Sequence, residues 1–343
     1  MLLAWILFAA LPTNVQLRIQ PDEAKAVVEI LDQRAAHKPL AESDWQALFA
    51  TEGYIRLQKR EHAMKRKFEN DDFQKFVMSE ELLARRAELH HVVDDWSHVD
   101  LGAAGRQALA YLPPDAKISA TVYPVIKPAR NNFVFEGNAI FMTVEDQPRE
   151  RFETIVTHEL HHIGYDSACP APAISTAIEK LPPNLHALEN WLTAFGEGYA
   201  TLAAGGDHDP EHAMQPEVQK AFVEGSRDLD KNFHDVETFL LDVLDGRLSG
   251  DAVRDRGFQF LGMVGPWYTV GWKMCVVIEK TLGREALINA FCDPRTLLGT
   301  YNKAAGLWKQ RTGESLPAWD ERLVNAFTSP SSETPARSPG SAR

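Results

Sequence analysis

The stretch Val156–Tyr165, VTHELHHIGY, places three histidines and one glutamate within five consecutive positions. On an α-helix, residues four apart lie on one face a turn from each other, so His158 and His162 can aim both imidazoles at a single ion. Glu159 sits beside the first of them. This is the H-E-x-x-H spacing in which two histidines bind zinc and the glutamate acts on the water held there. Phe152, Ile155, Val156, Leu160 and Ile163 form an apolar stripe on the same helix, and at about 100° per residue Glu159 falls inside that stripe. An ordinary surface glutamate would not be placed there. His161 falls on the opposite side and is expected to be solvated, or to support a ligand rather than be one.

Working outward, KISATVYPVI and NNFVFEGNAIFMTV are rich in β-branched and aromatic residues with Gly and Asn between them, which predicts two or three strands. Pro148 stands where a first helical turn would begin and Gly164 where the helix would stop. The motif therefore lies on the second half of a helix that follows a small sheet. Upstream, from Asp22 to about His98, apolar residues recur at helical spacing, and LGAAGRQALAYLPPDA ends this helical half at Pro113 and Pro114. Downstream, LPPNLHALENWLTAFGEGYATLAAGG predicts a second long helix closed by Gly205 and Gly206. GDHDPEHAMQP reads as a polar loop and PEVQKAFVEGSRDLDKNFHDVETFLLDVLDG as helical again. GPWYTVGWKMCVVIEKTLG is apolar nearly all round, the signature of a central buried helix, and REALINAF continues the bundle.

The expected fold class is α+β, mainly α, with a small sheet before the H-E-x-x-H helix and a helical C-terminal half. Residues 21–115 form a helical N-terminal region and 116–328 the region carrying the motif. Residues 1–20 read as a possible export segment, and the Pro/Ser-rich 329–343 as a disordered tail.

With 343 residues, 44% of them hydrophobic, the chain can build one large core or two modest ones. Its 48 acidic against 36 basic residues give a net charge of −12, with no basic cluster interleaved with aromatics. Nucleic acid and anionic membrane surfaces are poor partners for such a chain. The apolar run Leu2–Leu11 matches the core of a secretory signal and is too short to span a bilayer. It points to a secreted or periplasmic protein, with the cytoplasm as the alternative and no stable membrane insertion. Cys169, Cys275 and Cys292 cannot all pair and leave the compartment open.

A catalytic zinc takes three protein ligands and keeps a position open. A metzincin-type extension would need Gly and His where this chain has Tyr165 and Ala168. The other source is a glutamate on a later helix, and FGEGYATLAA supplies Glu197. Leu188, Trp191, Leu192, Phe195, Tyr199 and Leu202 form the core face of that helix, so Glu197 points elsewhere. It is either solvent-facing or a ligand. The face around it reads Thr193, Ala194, Gly196, Gly198, Ala200, Thr201 and Ala204, where a solvated helix would carry Lys, Glu and Gln. Two glycines inside a helix cost about 1 kcal/mol each relative to Ala, and close approach of another backbone explains them. That favours the ligand.

HELHH followed by a helix carrying GEGYA resembles the gluzincin group of zinc metallopeptidases. More narrowly, with W..LF.T.GY at Trp45–Tyr54 and WYTVGWKMCVVIEKTLGREAL downstream, the layout is similar to that of bacterial zinc-dependent peptidases over residues 40–325. The resemblance implies a zincin-like core and one zinc per chain on His158, His162 and Glu197. It also implies Glu159 as general base and acid, and a peptide or protein substrate. It further implies an oxyanion donor, for which Tyr268 is the candidate; its alternative reading is a core aromatic beside Trp267 and Trp272. His208 and His212 are weaker candidates and read better as loop surface. Many gluzincins place an Asp four residues after the glutamate ligand, where this chain has Thr201. GNAIFMTV would be the edge strand along which substrate lies. The competing classes are a catalytically silent zinc-binding scaffold for a protein or peptide partner, and a helical structural protein with a coincidental motif.

Overall fold

A computed structural model of the protein describes residues 14–129, 131–145 and 147–327; the run Leu2–Leu11 and the tail 329–343 lie outside the described residues. The chain opens with β1 (Val15–Ile19), then α1 (Asp22–Ala35), α2 (Glu42–Phe49), α3 (Glu52–Ala63), α4 (Asn70–Val77), α5 (Glu80–Ala84), α6 (Arg86–Ser97) and α7 (Gly102–Leu109). It continues through β2 (Ile118–Val125), β3 (Phe133–Phe135), β4 (Ala139–Thr143) and α8 (Arg149–Asp166). There follow α9 (Pro172–Ile178), α10 (Pro183–Leu192), α11 (Gly196–Gly205), α12 (Pro216–Arg227), α13 (Leu229–Leu244) and α14 (Asp251–Gln259). The last four are α15 (Pro266–Leu282), α16 (Arg284–Cys292), α17 (Pro294–Thr312) and α18 (Glu321–Asn325). The fold is α+β and mainly α. Two compact units result: one takes the described residues up to Ala168 with Ala200–Pro216, the other Cys169–Tyr199 with those from Glu217 onward. The division runs through α11, between Tyr199 and Ala200.

In the first unit the sheet runs β1-β2-β4-β3, parallel except for β3, which is antiparallel to β4. Alternation along the strands sends successive side chains to opposite faces. Ile118, Ala120 and Val122 of β2 with Ile140 and Met142 of β4 join a core built from α1, α6 and α8, whereas Tyr123, Val125, Ala139 and Phe141 face Leu57 of α3. The segment Trp45–Tyr54 is the α2–α3 junction: Trp45, Leu48 and Tyr54 are buried, and Thr51 Oγ1 accepts the Tyr54 amide at the start of α3. β4, expected to be the edge strand, is internal and buried along its whole length; the outer strand on that side is β3. The apolar character of AIFMT is that of a strand covered on both faces.

The segment 1–20, read as a possible export signal, ends in a strand, β1, and VQLRI does alternate apolar and polar as a half-buried strand should. It pairs in parallel with β2, Val15 opposite Ile118. Gly164 does not end α8. A methyl group there would lie 2.4 Å from Leu112 Cδ1 and 3.0 Å from Ile118 Cγ1, so the glycine serves close packing and the helix continues to Asp166.

In the second unit α15 is the central helix, with ten of its seventeen residues buried. Trp267 at its start is fully buried and donates its indole N–H to the Gly257 carbonyl at 2.9 Å. The long helix expected over LPPNLHALENWLTAFGEGYATLAAGG is two helices, α10 and α11, separated by a 3₁₀ turn at Thr193–Phe195. Cys169 and Cys292 form a disulfide with Cα atoms 4.7 Å apart, and Cys275 is buried and free.

Glu23 of α1 is an acid buried in the core, where desolvation outweighs the attraction of Lys127. It is fully buried beside the end of β2, where one carboxylate oxygen accepts the Ile126 amide at 2.9 Å and the other meets no donor. Burial raises its pKa from the ordinary 4.5 to about 8. Between those values the unfolded chain has released a proton that the folded chain keeps, so stability falls as pH rises through this window and levels off above it. The full effect is on the order of 4–5 kcal/mol. Glu23→Gln is expected to remove the slope, so that its melting temperature gains on wild type between pH 5 and pH 8 (about the limits of the window). Parallel pH profiles for the two proteins would refute the assignment.

Candidate metal centre

The H-E-x-x-H helix is fixed in roll by what it buries. Phe152, Val156, Leu160 and Ile163 enter the core over the sheet, and Phe152 stacks on Trp96 with ring centroids 4.4 Å apart. His161, expected to be solvated or to support a ligand, is buried, at 1% exposure. α7 covers that side, with the Tyr111 backbone beside the ring, and burial above all holds the imidazole well below its usual pKa. The remaining arc carries His158, Glu159 and His162, all half-buried.

The two ligand candidates converge through their Nε2 atoms, 3.1 Å apart, with the rings steeply inclined at 74°. Two nitrogens held tetrahedrally at zinc-ligand distance stand about 3.4 Å apart. The side chains already stand close to the spacing an ion would impose.

Glu197, also half-buried, lies in the first turn of α11, and one atom each of His158, His162 and Glu197 lie within 4.8 Å of one another. Among the described residues no other such group of three occurs. Two imidazoles and a carboxylate fit zinc and leave a position open. The small residues next to Glu197 have the cause expected of them at one of the two glycines. A methyl at Gly198 would sit 2.1 Å from the Trp272 amide nitrogen and 2.3 Å from the Gly271 carbonyl carbon, while Gly196 faces open space. Gly271 is the counterpart, its own added methyl 2.9 Å from the Phe195 carbonyl oxygen. The backbones of α11 and α15 touch here because neither side carries a Cβ.

Tyr268 lies in the first turn of α15 and is half-buried, unlike its fully buried neighbour Trp267. Thr201, in the position where an orienting Asp would stand, is buried. His208 is exposed beside Asp207. His212 donates to the Asp209 carbonyl at 2.7 Å and pairs with Glu150 at 3.0 Å, which together raise its pKa; neither histidine belongs to the metal group. No motif points to Gln107, an exposed residue of α7 whose amide bonds the Ala203 and Ala204 carbonyls of α11. No spacing rule marks such a contact between residues so far apart in the chain.

Residues 45–310 match the family model described as "Putative zinc dependent peptidase (DUF5700)". The chain belongs to this family. The matched span contains all three residues of the metal group, Glu159, and the Trp45–Tyr54 junction. No curated protein and no solved structure matches the chain. For a member of a zinc-dependent family, the expected composition of the purified protein is about one zinc per chain. His162→Ala should lose it while keeping its helical signal, as read by elemental analysis beside circular dichroism. Full zinc occupancy in the variant would remove His162 from the ligand set.

Proposed function

We propose that the protein is a zinc-dependent peptidase that hydrolyses peptide bonds with Glu159 as general base. The observation carrying this reading is the convergence of His158, His162 and Glu197, with Glu159 adjacent to the first ligand on α8. Bound zinc supplies Lewis acidity, lowering the pKa of water from about 15.7 toward about 7 and polarising a carbonyl. The chain's own residues do the rest. His158, His162 and Glu197 hold the ion. The Glu159 carboxylate takes a proton from the attacking water and returns it to the leaving amine. The Tyr268 phenol donates a hydrogen bond to the carbonyl oxygen as it gains charge. A peptide or protein is the substrate, and the outer strand β3 offers a main chain on which an extended segment can pair.

Glu159→Gln preserves shape and removes the base. It is expected to keep its zinc and to lose about 10²–10⁴-fold in peptide hydrolysis. Undiminished cleavage of a peptide library by the zinc-loaded variant would overturn the role of Glu159. A zinc-loaded wild type that cleaves nothing in the library would point to the scaffold reading.

We also propose that the protein works outside the cytoplasm. Among the described residues no helix is long and apolar enough to cross a membrane. The support for export is the Cys169–Cys292 bond, since such bonds persist in oxidising compartments. Denatured protein purified from its own host without reductant should titrate one thiol, Cys275, and three after reduction. Three thiols before reduction would place the chain in a reducing compartment.

A further inference from the structure

We infer that Gln107 is a positioning residue for the Glu197 ligand, holding α11 at the axial setting that zinc binding requires. The inference rests on the metal site proposed above and adds a residue to it that touches neither ion nor substrate.

The last turn of a helix leaves carbonyls without intrahelical partners. In α11 the Leu202 carbonyl accepts the Gly206 amide at 2.9 Å, and the chain then leaves the helix through the left-handed φ of +80° at Gly206. The next two carbonyls, of Ala203 and Ala204, accept from Gln107 Nε2 at 3.0 and 2.8 Å. One amide thus closes the end of a helix that lies 96 and 97 residues away in the chain.

Gln107 can act as an anchor because its own helix is immobilised. Ala104 and Ala108 are buried, and a methyl on Gly105 would lie 2.8 Å from Val15 Cγ1 of β1. α7 also packs along α8, which carries His158 and His162. Gln107 is therefore strapped to the body that holds the histidine pair. Glu197 stands six residues before Ala203 on one continuous helix, about 9 Å along its axis, and a helix this short transmits an axial slip from one end to the other. Metal ligands tolerate errors of only about 0.5 Å.

The exposure of Gln107 makes the test clean, because substitution there leaves the core untouched. Zinc affinity of the full chain is measured by competition with a chromophoric chelator, below the melting transition. Variants are Gln107→Leu, which removes the donor, Gln107→Glu, which turns an acceptor toward two carbonyls, and Gln107→Lys, which restores a donor at a helix C-terminus. The expected result is a Kd about tenfold weaker for the Leu and Glu variants, recovery to within about twofold for Lys, and unfolding midpoints of the metal-free proteins close to wild type. Unchanged affinity in the Leu and Glu variants, or failure of Lys to restore it, would overturn the assignment. A wild-type chain that binds no zinc would instead overturn the metal site on which the inference rests.

Discussion

An i, i+4 pair of imidazoles can share an ion only if the helix carrying it cannot roll, and α8 is held on two opposite sides. The apolar stripe from Phe152 to Ile163 is committed to the core over the sheet, and the far side is committed through His161 and Gly164 to α7 and the segment leading into β2. A rotation by one residue, about 100°, would drive either His158 into the core or Phe152 into water. Burying a full aromatic or aliphatic side chain is worth about 1.5–3 kcal/mol, and several such residues favour the same setting. The arc carrying His158, Glu159 and His162 is what remains.

The third ligand is delivered by a different device. Glu197 belongs to a helix whose first turn presses backbone to backbone on α15 at Gly198 and Gly271, a contact that any Cβ would prevent. Helical glycine costs about 1 kcal/mol, and here the cost is offset by an approach no larger residue permits. The 3₁₀ turn at Thr193–Phe195 sets α11 apart from α10, so the core-facing rows of α10 need not dictate the phase of Glu197.

The buried ionisable groups divide by what surrounds them. His161 lies in an apolar contact between helices, where burial keeps the ring neutral, and a neutral ring adds no positive charge beside a cation site. Glu23, in the same core as the strands, holds the start of the loop after β2 through the Ile126 amide and stays protonated to about pH 8. An acid retained at such cost trades stability for the placement of one backbone segment.

By itself the sequence determined the fold class, the run of N-terminal helices, the strands β2 and β4, and the presence of a two-histidine face with its glutamate. Each of these is written in a local period: 3.6 for helices, two for strands, and four between ligands. It also carried the reason for Gly198, because small residues opposite a core face mark where a second backbone comes close. Only the tertiary structure decided that β4 is internal and β3 outer, that α8 runs past Gly164, that His161 is buried, and that Cys169 meets Cys292. Each of these depends on what lies across a contact from residues distant in sequence. A strand's neighbours, a glycine's opposite wall, and the amide that closes a helix from another element leave no period in the chain that makes them.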